Sequence, residues 1–213
     1  MQLDFLGQNI VNGQYTITKI HYDLTKNFIL NIHYAKRMPS ITYAYGLYEK
    51  EKLVGIICYG SPASQSLCKG IAGEKYKTHI LELNRLVLLN NKKNEASILV
   101  SASFKLLPKP KIIVSYADSE QNHLGIVYQA TNFIYTGLSD KRNEWRIKNC
   151  NLHSKTVCEK YTLDERKSNP NKFIQIERPR KHRYLYFLGN KTEKKNYKNA
   201  LKYKIYTYPK CQK

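Results

Sequence analysis

Two apolar, β-rich runs, ILELNRLVLL at residues 80–89 and KIIVSYAD at 111–118, stand about one helix-length apart, and this spacing constrains the fold more than anything else in the chain. Each run is too short for a buried helix and reads as a strand covered on both faces. Between them, NNKKNEASILVSASFKLLPKP offers Asn94 as an N-cap and a helical run that Pro108 ends. Asp118 or Ser119 then caps a helix through QNHLGIVYQATNF, with Leu124, Val127, Tyr128 and Thr131 on one face. FIYTGL follows as a strand. Strand, crossover helix, strand, helix is a parallel βαβα unit, so the fold class is α/β or α+β around a central sheet.

Upstream, Asp23 is placed to cap a helix over residues 24–37 that Pro39 stops, with His33 and Tyr34 in its last turn. ITYAYGLYEKEKLVGIICYG reads as a hairpin turning at residues 49–52, and SPASQSLCKGIAG as a loop. Downstream, residues 139–171 are polar and weakly patterned. RPRKHRYLYFLG then places a strand behind a basic clamp, ahead of a lysine-rich tail. One domain over residues 1–213 is expected, with 178–213 as its basic C-terminal extension.

The charge is lopsided: 36 Lys and Arg against 16 Asp and Glu give +20. A surface this basic concentrates polyanions, which makes nucleic acid, an anionic membrane or an acidic protein the natural partner, and composition alone does not choose among them. No apolar stretch approaches the length of a membrane span, and MQLDFLGQN lacks the features of a secretory signal, so a cytoplasmic location is expected. The five cysteines form no C-x-x-C pair, which argues against a disulfide framework and a zinc ribbon. His79, His123, His153 and His182 show no metalloprotease spacing. No G-x-G-x-x-G or phosphate-loop lysine motif is present either.

Several residues do not suit a plain core. Strict alternation along ILELNRLVLL puts Arg85 on one face with Leu81, Leu83, Val87 and Leu89, and Asn84 on the other. A guanidinium among leucines needs a carboxylate such as Glu82 or Glu95, a bound anion, or an opening in the sheet. SYAD ends the second strand, and ligands of open α/β sheets gather at carboxyl ends of strands, where Ser115, Tyr116 and Asp118 lie. Asp118 serves equally as a helix cap. Tyr128, Asn132 and Tyr135 bracket the next helix, a set suited either to packing or to stacking on a planar base. His33 and Tyr34 are polar groups at a helix terminus, suited to metal ligation or proton movement. Lys92, Lys93 and Asn94 converge at a helix N-terminus, an anion site in principle. Arg178, Arg180, Lys181, His182 and Arg183, followed by Lys194, Lys195 and Lys198 among tyrosines, form either a solvated basic face or a surface for a nucleic-acid backbone; within residues 178–213 twelve Lys or Arg face one acid, Glu193, which favours the backbone.

NIHYAKRMPS, YAYGLYEKEKLVGIICYGSP, LELNRLVLLNNKKNEAS, IIVSYADSEQNHLGIVYQATNFIYTG and RPRKHRYLYFLG together resemble the Mom family of phage DNA-modification proteins, over roughly residues 31–208. LNRL, SYAD and YQATNF in that order carry most of the resemblance. It implies an acetyltransferase-like (GNAT-like) mixed sheet whose two central parallel strands splay to admit a group donor. It also implies conversion of adenine in double-stranded DNA to N6-carbamoylmethyladenine, which shields phage DNA from host restriction inside the bacterial cell. In that reading Tyr34, Tyr116 and Tyr135 surround the base, with Asn84, Tyr128 and Asn132 as further substrate contacts. Asp118 accepts the N6 proton, and Arg85 with Ser115 stabilises negative charge on the donor. Lys92, Lys93 and Asn94 would hold the donor's anion. NNKKNEAS lacks the glycines of the usual coenzyme A loop, so a coenzyme A thioester is one candidate donor among others. A second arrangement holds iron on His33, Tyr34, Asp118 and Tyr135. Two other readings share these residues: an acyltransferase of this fold acting on RNA or protein, and a non-catalytic basic DNA-binding protein.

Overall fold

The computed structural model describes residues 9–62, 64–150, 152 and 154–210, excepting the side chain of Lys155; His153 and Cys211 lie outside the described residues. Strands β1 (Ile10–Asn12), β2 (Tyr15–Lys19), β3 (Tyr43–Glu49), β4 (Lys52–Gly60), β5 (Ile80–Leu88), β6 (Lys111–Asp118) and β7 (Ile134–Leu138) join β10 (Lys181–Leu188) in one sheet. Their order is β1-β2-β3-β4-β5-β6-β10-β7. Every neighbouring pair is antiparallel except β5 and β6, the two runs that the helix-length spacing separates. The class is mixed α/β, as expected.

The parallel pair splays. Its ladder runs from Ile80 opposite Ile112 to Leu83 opposite Ser115 and stops there, although β5 continues to Leu88 and β6 to Asp118. At the fork the Ser115 hydroxyl donates to the Leu83 carbonyl at 2.9 Å. The side chain thus extends the ladder by one bond where the backbones part.

A β-bulge lies just beyond. In the β4–β5 pair, Tyr59 faces Leu83 and Cys58 faces Arg85, so Asn84 is the extra residue. The bulge corrects the strict alternation expected of this strand, because one inserted residue swaps the faces. Leu81, Leu83, Leu86 and Leu88 share the core beneath helix α3 (Glu95–Leu106), whereas Val87 packs on the other face with Ile56 and Cys58. Arg85, opposite Cys58, joins Val87 there rather than the leucines.

The α3 face is a continuous core holding Leu99, Val100, Ile113, Phe133 and Tyr184. Each such side chain stabilises the fold by roughly 1.5–3 kcal/mol through burial. The opposite face carries two smaller clusters. One sets Phe28 and Ile29 against Ile56, Cys58 and Val87. The other sets helix α2 (Gln65–Ala72) and helix α7 (Lys191–Ala200) against Ile112, Val114, Leu185 and Phe187.

Local chemistry departs from expectation in several places. The first helix is short: α1 (Asp23–Asn27) passes into one π-helical turn at Phe28–Ile32, and His33 is already extended. The wider turn seats both Phe28 and Ile29 in the core, which leaves His33 and Tyr34 on a loop. Tyr22 occupies the cap position, and Asp23 pairs with Lys26 at 2.6 Å. The expected loop at 61–73 contains α2, capped by the Ser64 hydroxyl. Asn94 does not cap α3 with its side chain, being left-handed at φ 67°. After β6, Asp118 caps only a short turn, and helix α4 (Ile126–Ala130) starts beyond Gly125. Gly125 is left-handed at φ +71°, and a Cβ there would meet the Tyr184 ring at 2.5 Å.

The polar stretch after β7 is ordered into β8 (Arg142–Ile147), helices α5 (Ser154–Lys160) and α6 (Leu163–Ser168), and β9 (Phe173–Arg178), with β8 and β9 forming a separate ribbon. The lysine-rich tail forms α7 behind an Asn190–Glu193 capping box, then an extended strap. Along the strap, the Lys202 amide donates to the Ile71 carbonyl at 2.9 Å, the Tyr206 amide to the Tyr135 carbonyl at 3.0 Å, and the Tyr208 hydroxyl to the Phe133 carbonyl at 2.6 Å.

Candidate active site

The sheet face opposite α3 brings Arg85 and Asp118 together with the loop that carries His33 and Tyr34, whereas Tyr116, on the same face, packs with the α2 and α7 cluster beside Arg183 and Tyr203. Asp118 ends β6, 7% exposed. Its Oδ1 accepts the Glu120 amide at 3.2 Å, and its Oδ2 lies 2.5 Å from Lys181 Nζ and 3.5 Å from the Tyr34 hydroxyl. Lys181 is directly opposite in the β6–β10 ladder, so the counter-charge is built into the sheet. The half-exposed Tyr34 ring stacks on His33 with centroids 4.4 Å apart and presents an edge to His123. Burial and the neighbouring Asp118 carboxylate raise the Tyr34 pKa. Burial, then the positive charges of Arg85, His123 and Lys181, push the His33 imidazole down to about 4. It is therefore neutral at pH 7, with Nδ1 accepting the Ala35 amide at 3.1 Å.

Arg85 donates its hydrogen bonds to carbonyls, and Glu82, one of the two suggested acids, adds an electrostatic attraction. Its guanidinium donates to the Asn84 carbonyl at 2.6 Å and the Arg37 carbonyl at 2.8 Å. Glu95, one suggested partner, is committed elsewhere: its carboxylate accepts the Tyr15 hydroxyl at 2.9 Å and the Lys92 amide at 2.7 Å. Burial draws the Arg85 pKa below the usual arginine value. Asn84 at the bulge donates to the Ser40 carbonyl at 2.7 Å, so both residues tie β5 to the loop bearing Tyr34. Two buried polar atoms here lack a partner, Arg85 Nε and Asn84 Oδ1. One is a donor and the other an acceptor.

Other anticipated residues are dispersed. Ser115 points to the α3 face, where it clasps Leu83 and hydrogen-bonds the buried Tyr128, whose pKa burial raises to about 12. Tyr135 also lies on that face, among Tyr128 and Tyr184, with its hydroxyl 2.8 Å from His182 Nδ1. Strand alternation keeps it from Asp118, so of the three expected tyrosines Tyr34 alone stands beside that carboxylate. His33, Tyr34, Asp118 and Tyr135 accordingly do not fit a four-ligand iron site, and among the described residues no three His, Cys, Asp or Glu are grouped to hold a metal. Asn132, exposed at φ 61°, instead lines a groove of about 600 Å³ with Asn94 and Lys194.

The start of α3 does not fit the pyrophosphate of coenzyme A. The fully buried Glu95 carboxylate already occupies the helix N-terminus, and both oxygens of Glu49 hold Lys92 Nζ at 2.8 Å, leaving Lys93 without that neighbour's charge. The basic clamp is partly internal. Lys181 pairs with Asp118, His182 with Tyr135, and Arg183 is buried, whereas Arg178 stays half-exposed near Glu144, and Lys194, Lys195 and Lys198 lie on the outer side of α7. Lys181 was the unforeseen partner in the cleft: nothing in the sequence marks β10 as the neighbour of β6.

No helix among the described residues is long and apolar enough to cross a membrane. Among solved structures the chain is similar to a ribosomal-protein-S5-alanine acetyltransferase from Vibrio fischeri, at 11% identity over 85% of this chain and 97% of that one, with a TM-score of 0.48. It is similar too to a GNAT-family acetyltransferase from Bacillus cereus, at 14% identity over 84% and 100% of the two chains, with a TM-score of 0.44. In sequence it is 24% identical over 225 residues to the protein named methylcarbamoylase mom of Escherichia phage Mu, covering 98% of this chain and 90% of that protein. The Mom protein family matches residues 14–210, nearly the whole length, and the chain belongs to that family.

Proposed function

We propose that this protein is a phage DNA-modification enzyme that converts adenine in duplex DNA to N6-carbamoylmethyladenine, acting in the cytoplasm of the infected cell. The observation that carries this reading is Asp118: a buried carboxylate beside the opening of a splayed parallel pair, with a stacked, half-exposed tyrosine at hydrogen-bond distance.

The chemistry defines what such a site must do. Adenine N6 is a weak nucleophile because its lone pair is delocalised into the ring, and in a duplex it is paired and stacked. The base has to leave the helix, which costs a few kcal/mol. Tyr34, already stacked on His33, offers a ring face for the extruded base. Asp118 accepts the N6 proton as the N6–CH2 bond forms. The bond from that carbon to the donor's leaving group breaks, and the electron pair departs with the leaving group. The donor is a small molecule carrying the carbamoylmethyl group on such a leaving group. Arg85 then stabilises charge on the transferred group. The lack of fit at α3 argues for a donor other than coenzyme A.

The test is to express the protein, digest cellular DNA and RNA separately to nucleosides, and analyse both by mass spectrometry. A carbamoylmethyl adduct on deoxyadenosine alone is the expected result. An adduct in RNA alone overturns the DNA assignment, and unmodified nucleosides with tight duplex binding overturn the enzyme assignment.

A further inference from the structure

Beyond β7 the open edge of the sheet carries a second cleft, of about 440 Å³, lined by Arg180, Arg183, Lys204, Tyr206 and Asp140. Arg183 is its unusual member. The residue is 6% exposed, and among the described residues no carboxylate forms an ion pair with it. Its guanidinium donates to the Thr136 hydroxyl at 3.0 Å and the Thr136 carbonyl at 3.1 Å, and lies over the Tyr203 ring at 3.4 Å. These neutral partners orient the charge without cancelling it, and a buried cation left so is costly until an anion arrives.

Arg180 is fixed in the same manner, donating to the Ser139 carbonyl at 2.6 Å. The strap supplies Lys204 from the other side. Three cations therefore meet one rim carboxylate, Asp140. Planar guanidinium groups held by carbonyls suit tetrahedral oxyanions. The cleft also adjoins the candidate active site, since Arg183 stands opposite Tyr116, and Lys181 opposite Asp118, in the β6–β10 ladder.

We infer that this cleft seats one backbone phosphate of the DNA next to the target adenine, held by Arg180, Arg183 and Lys204. The inference rests on the DNA reading given above and adds to it a fixed anchor, which would set which nucleotide reaches Tyr34. Extruding a base requires its flanking phosphate to be gripped while the base rotates.

The experiment is a methylphosphonate scan. Duplexes carrying one neutral linkage at successive positions around an adenine are titrated against the full-length protein and against Arg180→Gln, Lys204→Gln and Arg183→Lys variants. The wild type should lose about tenfold or more in affinity at one position. The Lys204→Gln and Arg180→Gln proteins should bind all-phosphate duplex more weakly and be insensitive to the neutral linkage at that position. Their log affinity against log salt should flatten by up to about 0.9. Lys204 is exposed, so its replacement leaves folding intact even if Arg183→Lys does not fold. Equal sensitivity of wild type and variants at every position overturns the seat. A protein that forms no adduct yet shows the silent position keeps the seat and loses the enzyme assignment; an active enzyme without a silent position loses the seat alone.

Discussion

The Tyr34 hydroxyl lies 3.5 Å from Asp118 Oδ2 although the two residues are 84 positions apart. Tyr34 follows a π-helical turn and Asp118 ends the second parallel strand, so their meeting depends on the first loop crossing the end of the sheet. The same oxygen meets Lys181 Nζ at 2.5 Å. The carboxylate is thus oriented before any substrate arrives, with its tyrosine neighbour half-exposed. Asp118→Asn should lower adduct formation by about 100- to 10,000-fold. Tyr34→Phe keeps the ring and should cost about tenfold, whereas Tyr34→Ala should approach the Asp118→Asn loss. Nucleoside mass spectrometry with time, alongside a thermal melt, checks all three; full activity in Asp118→Asn removes it from the chemistry.

Arg85 is clamped through two nitrogens to carbonyls of Asn84 and Arg37. A lysine reproduces the charge but not the planar fork. Arg85→Lys should therefore reduce the adduct by about 100-fold or more, by analogy with loss of one preorganised donor, and lower stability by about 1–3 kcal/mol as the loop loses its tie. An adduct rate within twofold of wild type would show that charge alone suffices.

His33 predicts an acid-side loss of stability. Its folded pKa of about 4 lies below the ordinary 6.5. Between those values the unfolded chain takes up a proton that the folded chain refuses, so stability is complete above pH 6.5 and declines as pH falls toward 4. The contribution to the slope stays below about 1.4 kcal/mol per pH unit, because one imidazole takes up at most one proton. Denaturant titrations at several pH values should show a flatter profile for His33→Gln across this window.

Gly60 makes a third tie between the sheet and the site loop. A Cβ there would sit 1.9 Å from the Ser40 carbonyl oxygen, which also accepts from Asn84. Because the obstacle is backbone, Gly60→Ala has to displace the segment after Tyr34, at a cost of about 1–3 kcal/mol. Adduct formation should fall more than the melting temperature alone explains, whereas a wild-type rate would show that the loop can shift harmlessly.

Coenzyme A should not bind at α3. Calorimetry with coenzyme A or acetyl-coenzyme A should show no saturable heat, and adding either to a modification assay should leave the adduct rate unchanged. Glu95→Ala, which strands the Tyr15 hydroxyl and the Lys92 amide, should destabilise the protein by about 2–4 kcal/mol. Micromolar binding of coenzyme A to the wild type would contradict the mismatch at this helix.

What the chain determined by itself was the strands β3, β4, β5, β6, β7 and β10 and the parallel pairing of β5 with β6, whereas β1, β2, β8 and β9 carried no comparable local signal. Residues 80–89 and 111–118, with a helix-length interval, had few outcomes other than a parallel pair, because β-branched runs need two covered faces and a parallel crossover needs a helix. The hairpin of β3 and β4, the strand β10 and the position of SYAD at a carboxyl end follow from equally local rules. The choice of faces was decided only by tertiary structure. Opposite β4, one extra residue at Asn84 turned Arg85 away from the leucines, and no local pattern in LNRL announces a bulge that the partner strand helps to create. Insertion of β10 between β6 and β7 gave Asp118 its lysine and set Tyr135 on the far face with His182. Hydrophobic periodicity records how a segment buries its own side chains, whereas a site assembled from distant segments depends on which strands become neighbours, and that is set by packing of the whole sheet.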